Sequence, residues 1–250
     1  MIYRKRKVRK LMKVEKIVRP IINRMNVFRN DVFIHFLKNR GVDIGRGCYF
    51  FAPMKTTIDV QRPHMLHIGN YVKVTKGVVI LCHDYSRSVC CNMKGYENCG
   101  EGGETFIGNN VFIGLGATIL MGTHVGDNVI IGAGSVVSGF FPDNVVIAGN
   151  PAKVVCTIDD YYKKQKENMI DAAILYAQKW KQRNHVYPTV EEMTNAFSWI
   201  YLSHTNEAIE KYPNLFRLNG VDRELYIENF LNSKPEFASY EAFLGYCDKN

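Results

Sequence analysis

A chain of 250 residues with 46% apolar and 12% aromatic content is long enough to bury a sizeable core, as one large domain or as a domain with an appendage. No run approaches the roughly 18 apolar residues of a membrane span, and the start, MIYRKRKVRKLMKVEK, lacks the continuous apolar segment of a secretion signal, so a cytoplasmic address is expected. Seven cysteines at irregular spacing argue against a disulfide framework and read as reduced thiols.

The net charge of +8 is unevenly placed. Residues 1–40 hold 13 Lys or Arg against Glu15 and Asp31, and the rest of the chain sums to −3. Residues 5–28 space Val8, Leu11, Met12, Ile17 and Ile21 at roughly helical intervals, interrupted by Pro20. That predicts a basic amphipathic helix within an N-terminal segment, residues 1–41. Such a helix suits peripheral contact with an anionic membrane, although a helix of this kind more commonly packs one face on its own domain. No aromatic-interleaved basic groove or zinc spacing supports nucleic acid, and none is expected as a partner.

From Ile107 the sequence falls into sixes: IGNNVF, IGLGAT, ILMGTH, VGDNVI, IGAGSV, VSGFFP. The first positions are Ile107, Ile113, Ile119, Val125, Ile131 and Val137, and the fifth are Val111, Ala117, Thr123, Val129 and Ser135, all small or β-branched. The same phase recurs from Ile68, Val74 and Ile80, and more faintly from Ile44 and Phe50, where it puts Met54 at position five. A period of six is neither a helix nor a plain alternation. It reads as a solenoid of short strands joined by tight turns, one inward aliphatic residue per strand, with Gly where the backbone bends or approaches closely. Three sixes make a triangular turn, and successive turns stack about 4.8 Å apart.

These repeats, with IGAGSVV followed by VVIAGNPAKVV, resemble the hexapeptide-repeat acyltransferases, in particular the maltose and galactoside O-acetyltransferase branch and its polysaccharide-modifying relatives. The resemblance implies a mainly β fold, a left-handed parallel β-helix over residues 42–156. Handedness comes from the resemblance, since left-handed crossovers are the exception.

Ile68 and Ile107 are 39 apart, one turn plus an insertion, which falls at about residues 85–105, a polar, Gly-rich, non-periodic stretch. The chain therefore leaves the solenoid in VVILCHDYS, at His83 and Asp84, positions four and five of their repeat. Inserted loops on rigid scaffolds commonly carry binding function. An imidazole at such a corner can take a proton near neutral pH. By resemblance His83 is the catalytic general base; a thioester is already activated, so base-assisted attack with a backbone N–H for the oxyanion suffices, without a covalent acyl-enzyme. Asp84 is expected to bind the acceptor, with imidazole orientation and loop bracing as other roles open to it; Glu101 and Glu104 are further candidate partners of His83. His64, His67 and His124 read as structural. Cys90, Cys91 and Cys99 make a poor ligand set, and no metal is expected.

The resemblance further implies acetyl-CoA as co-substrate, met by Ala133 of IGAG, by Ser138 and Gly139, and by Lys153 of GNPAK near the nucleotide phosphates. It implies a homotrimer with sites between subunits. Cys156 stands where relatives often carry a second basic residue, and the acceptor-binding Asn of galactoside acetyltransferases has no match near Pro53–Lys55. Residues 157–250 read as a helical extension: a helix over DDYYKKQKENMIDAAILYAQKW, another opened by the Thr189/Glu192 capping box, and a last one opened by Ser233 and Glu236. The expected activity is acetyl transfer to a carbohydrate hydroxyl in bacterial surface-polysaccharide biosynthesis. N-acetylation of an amino sugar or drug-like acceptor, and a non-catalytic trimeric scaffold or membrane-surface binder, are the alternatives.

Overall fold

The structure is a computed structural model that describes Met25 and residues 29–249; apart from Met25, the basic helix expected over residues 5–28 lies outside the described residues. The chain divides into two compact units, with the boundary between Cys156 and Thr157.

The first unit is built as the period of six requires. Its strands are β1 Asp43–Ile44, β2 Tyr49–Phe50, β3 Thr57–Ile58, β4 Leu66–Ile68, β5 Lys73–Val74, β6 Val79–Ile80, β7 Thr105–Ile107, β8 Phe112–Ile113, β9 Thr118–Ile119, β10 His124–Val125, β11 Ile130–Ile131, β12 Val136–Val137, β13 Phe140–Phe141, β14 Val145–Gly149 and β15 Ala152–Thr157. They form three sheets, each collecting every third strand, with β15 added beside β14: β1-β4-β7-β10-β13 (sheet 1), β2-β5-β8-β11-β14-β15 (sheet 2) and β3-β6-β9-β12 (sheet 3). Ladders between successive turns are parallel and keep the repeat in register, as in Ile44↔Ile68↔Ile107↔Val125 and Ile58↔Ile80↔Ile119↔Val137. This is a left-handed parallel β-helix of triangular section, mainly β, followed by C-terminal helices.

The first-position side chains stack into three inward columns, with Val74, Ile80, Ile107, Ile113, Ile119 and Ile131 fully buried. Each such burial stabilises by about 1.5–3 kcal/mol. The fifth-position residues Val111, Ala117, Thr123, Val129 and Ser135 fill the space between columns and are also fully buried, which is why they are small or β-branched. Position-two glycines stack so closely that a Cβ on Gly69 would stand 2.7 Å from the Gly108 carbonyl of the next turn. At the corner between sheets 1 and 2, Asn110, Asn128 and Asn144 take left-handed backbone (φ 53°, 56° and 61°), and their amides hydrogen-bond one to the next at 3.0 and 2.9 Å. Asn tolerates that conformation and satisfies the corner.

Residues 29–39 form a helix, α1, against the first turn. Its Leu37 is buried, Phe33 meets Phe50 edge-on at 5.1 Å, and Asn30 Oδ1 accepts the Phe50 N–H at 2.8 Å, closing an otherwise open strand edge.

The faint phase in the first turn needs one correction. Met54 does not fill an inward slot: it sits in a 3-10 turn, Pro53–Lys55, 86% exposed, and the inward residue of sheet 3 is Ile58. The interval Phe50 to Ile58 is eight residues and Ile58 to Ile68 is ten. Two extra residues thus lie in the corner before sheet 3 and four in the corner after it. The long insertion leaves from that same second corner, one turn on, between β6 and β7. It includes one short helix, α2 Ser88–Cys91.

The second unit, residues 157–250, is helical: α3 Ile158–Asn184, α4 Asn206–Lys211, α5 Arg223–Leu231 and α6 Tyr240–Cys247. Thr157 caps α3 by accepting the Asp160 N–H at 3.1 Å, with Asp159 and Asp160 favourably placed in the first turn. The unit's core gathers Ala173, Ala177, Tyr201, Phe216, Phe230 and Phe243. Two expected helix starts are corrected. Thr189 and Glu192 do exchange capping-box hydrogen bonds, at 2.9 and 3.3 Å, but they close a turn that ends at Thr194, whose φ is +65°. Ser233 does not open the last helix: Pro235 intervenes, Ser233 Oγ bonds the Phe230 carbonyl at the end of α5, and Ser239 caps α6. Among the described residues no helix is long and apolar enough to cross a membrane.

Candidate active site

The last regular ladder bond before the insertion runs from Leu81 N–H to the Ile119 carbonyl at 3.0 Å. Cys82 then turns inward and is fully buried, while His83 faces the corner with 18% of its side chain exposed. What lies against His83 was set one turn earlier. Because Ile58 pairs with Ile80, Asp59 falls beneath Leu81, and its own N–H donates to the Ile80 carbonyl at 2.9 Å. Asp59 opens the widened corner with an Asx turn, Oδ1 accepting the Gln61 N–H at 3.0 Å. Its Oδ2 accepts the backbone N–H groups of Cys82 and His83, each at 3.1 Å, the Cys82 thiol at 3.1 Å, and His83 Nδ1.

Only 3% of the Asp59 side chain is exposed. Burial pushes its carboxyl up, but the donors from Cys82, Gln61 and His83 outweigh that and hold it down at about 2. Burial, together with the neighbouring Asp59 carboxylate, pushes the Cys82 thiol up to about 12. Asp59 is therefore an anion at neutral pH and can only accept, so Nδ1 of His83 carries the hydrogen, and in the neutral imidazole the lone pair is on Nε2. Nε2 has no partner among the described residues. A neutral imidazole oriented in this way can abstract a proton, and the imidazolium so formed is stabilised by the buried carboxylate.

The carboxylates first considered as partners of His83 are engaged elsewhere. Asp84 is exposed outside the solenoid, and its Oδ1 braces the loop by accepting the Ser86 N–H at 2.9 Å. The buried slot that position five would have filled in this turn is taken by Thr105, whose hydroxyl donates to the Leu81 carbonyl at 2.7 Å. Glu101 pairs with Arg87 at 3.0 Å, and Glu104 with His67 Nε2 at 2.9 Å, His67 Nδ1 lying 3.3 Å from Asp43. Arg87 also donates to Asn98 at 2.7 Å, so the loop folds back on itself, and Arg62 bonds the Glu101 carbonyl beside it. His124 stands on the outer face of sheet 1, stacked between Phe106 and Phe140 at 4.7 and 5.1 Å.

Register also places the residues expected to meet the acyl donor. Thr57, Val79, Thr118 and Val136 are aligned, so Asp59, Leu81, Leu120 and Ser138 follow on one corner. Ser138 and Gly139 thus lie on the corner of His83, two turns along, roughly 10 Å at the spacing of stacked strands. Both are exposed, and a Cβ on Gly139 would meet nothing. Ala133 follows β11 on the corner between sheets 2 and 3, and Lys153 lies in β15, the outermost strand of sheet 2; both are exposed. One chain therefore does not gather all four on the corner of His83.

Asp59 was missed in the sequence because Met54 masked the slippage of the repeat. The signal was present: aligning Ile58 with Ile80 puts an aspartate directly under Leu81, two residues before His83.

Residues 105–138 match a family model described as the hexapeptide repeat of succinyl-transferase. The chain is 42% identical over 132 residues to Protein CapG of Staphylococcus aureus, covering 53% of this chain and 75% of that protein. It is 34% identical over 148 residues to the putative lipopolysaccharide biosynthesis O-acetyl transferase WbbJ of Escherichia coli K12, covering 51% and 73%. Among solved structures, a galactoside acetyltransferase in complex with coenzyme A is 30% identical with a TM-score of 0.34, the match covering 49% of this chain and 57% of that one. Soybean serine acetyltransferase is 29% identical with a TM-score of 0.35, covering 46% and 40%. With its three-sheet solenoid, its phase of six from Ile107 to Val137 and its two relatives by sequence, the chain belongs to the hexapeptide-repeat acetyltransferase family.

Proposed function

We propose that the protein transfers acetyl from acetyl-CoA to a hydroxyl of a carbohydrate, a unit or precursor of a bacterial surface polysaccharide, by direct transfer in a ternary complex. The observation that carries this reading is the His83–Asp59 pair at an exposed solenoid corner. Nε2 takes the proton of the acceptor hydroxyl as its oxygen attacks the thioester carbonyl, Asp59 stabilises the imidazolium, and that proton returns to the departing thiolate. Asp84, exposed beside His83 at the root of the loop, is offered to acceptor hydroxyls. Ser138 and the open backbone of Gly139 would meet the pantetheine arm along the same corner. Ala133 and Lys153 reach the donor from a neighbouring copy if three chains pack around an axis, and their separation from the corner of His83 supports a homotrimer with shared sites. The polysaccharide context follows the relative named a putative lipopolysaccharide biosynthesis O-acetyl transferase.

The test is an acceptor screen with labelled acetyl-CoA, products being weighed by mass spectrometry before and after mild alkali, which strips O-acetyl and leaves amides. His83→Ala should lower transfer by about 10²–10⁴-fold while donor binding persists. Near-wild-type turnover would remove the general-base assignment, and an alkali-stable product would move the acceptor to an amine.

A further inference from the structure

Among the described residues only one group of side chains brings three metal-ligating atoms together. Asp59 Oδ2, Cys82 Sγ and His83 Nδ1 all lie within 4.8 Å of one another. We propose that these three residues form an inhibitory site for a thiophilic divalent cation such as zinc or cadmium, which binds in place of the hydrogens that now join them.

The donor set argues for that class of ion. One carboxylate oxygen, one thiolate sulfur and one imidazole nitrogen are ligands that zinc takes at about 2.0–2.3 Å, commonly as three protein groups with a fourth position open. Magnesium and calcium, which want several oxygens, find only one carboxylate. Electrostatics point the same way. The site is buried apart from part of His83, and it encloses the negative charge of Asp59. With a divalent cation and a thiolate, the carboxylate, thiolate and metal sum to zero, so the three buried groups carry no net charge.

The exchange balances as follows. The S–H bond of Cys82 breaks and its proton goes to solvent; the hydrogen on Nδ1 leaves and one is gained on Nε2; bonds form from the metal to Sγ, Oδ2 and Nδ1. No electron is transferred. With Nδ1 on the metal, Nε2 becomes a donor and has no lone pair for the acceptor's proton. Inhibition thus rests on His83 acting as the base, whereas occupancy of the site does not.

Cadmium serves as the probe, because a cadmium–thiolate bond absorbs in the ultraviolet. The full chain carrying Cys90→Ser, Cys91→Ser and Cys99→Ser, which removes the loop thiols, is titrated without coenzyme A. One equivalent should raise the thiolate band, and adding Cys82→Ser should abolish it. In the chain with Cys82 intact, nitrogen NMR of labelled histidine should show the His83 Nδ1 resonance displaced by zinc and Nε2 protonated, a readout that needs no variant in the site. Stoichiometric zinc should lower initial acetyl transfer more than tenfold, with recovery on chelation. Absence of the band, its survival in Cys82→Ser, or an unmoved His83 resonance overturns the site, even where His83→Ala still abolishes turnover. A metal-bound His83 with undiminished turnover leaves the site standing and overturns both the inhibition and the general-base reading.

Discussion

Replacing Asp59 by Asn tests the proposed chemistry more sharply than removing the imidazole, because it keeps the shape and takes away the charge. In the wild type every donor around Asp59 finds an acceptor: Gln61 N–H on Oδ1, and Cys82 N–H, Cys82 Sγ–H, His83 N–H and His83 Nδ1 on Oδ2. An amide carbonyl in the Oδ2 position can still receive Nδ1–H, so the imidazole tautomer is retained, but the NH₂ then faces the Gln61 N–H. That lost bond costs about 1–3 kcal/mol of stability. The catalytic effect is larger. When His83 becomes imidazolium in the transition state, a full negative charge beside it is worth about 4 kcal/mol at roughly 4 Å and an effective dielectric constant of 20. Losing it should lower kcat by about 10³-fold, since each 1.4 kcal/mol is a factor of ten, with KM for acetyl-CoA unchanged. The assay is single-turnover transfer of labelled acetyl, with the urea midpoint as a check on folding. A folded Asp59→Asn protein within threefold of wild-type kcat would refute the claim that Asp59 supports the base.

Other consequences follow from the same structure. Asp59 ionises at about 2 in the folded protein against an ordinary 3.8, so the native state binds fewer protons than the unfolded chain below pH 4. It therefore contributes about 2 kcal/mol that is present above pH 4 and lost as pH falls toward 2; urea midpoints of wild type and Asp59→Asn should converge over that window, and parallel curves would exclude the contribution. Gly108→Ala puts a Cβ 2.6 Å from the Gly126 carbonyl of the next turn. The turns must part, and a loss of about 2–4 kcal/mol is expected, against roughly 1 kcal/mol for Gly116→Ala, which meets only its positive φ of 67°. Ile119→Ala, in the middle of a fully buried column, should cost about 2–5 kcal/mol by chemical denaturation.

The legible part of this protein was its periodicity. Short-range constraints repeat every six residues: an inward aliphatic, a small fifth residue and a glycine where turns nearly touch. Those constraints act on each residue through its own neighbours, so Ile107 to Val137 declared the solenoid and the break at His83 declared the loop. Family likeness supplied the handedness, which side-chain spacing does not encode.

Pairing across turns was a different matter, because it depends on how many residues each corner absorbs. The intervals of eight and ten residues on either side of Ile58 leave only a faint repeat, in which Met54 falls at position five. Only with Ile58 under Ile80 does Asp59 fall beneath Leu81, within hydrogen-bond reach of His83. In the same way Glu101 and Glu104, close to His83 in sequence, turned to Arg87 and His67. Thr189 and Glu192 formed their capping box without a helix, since the backbone reverses at Thr194. A residue's place in a strand was written in its hexapeptide; the partner it meets across the stack was decided by the tertiary structure, because register sums every insertion between the two turns.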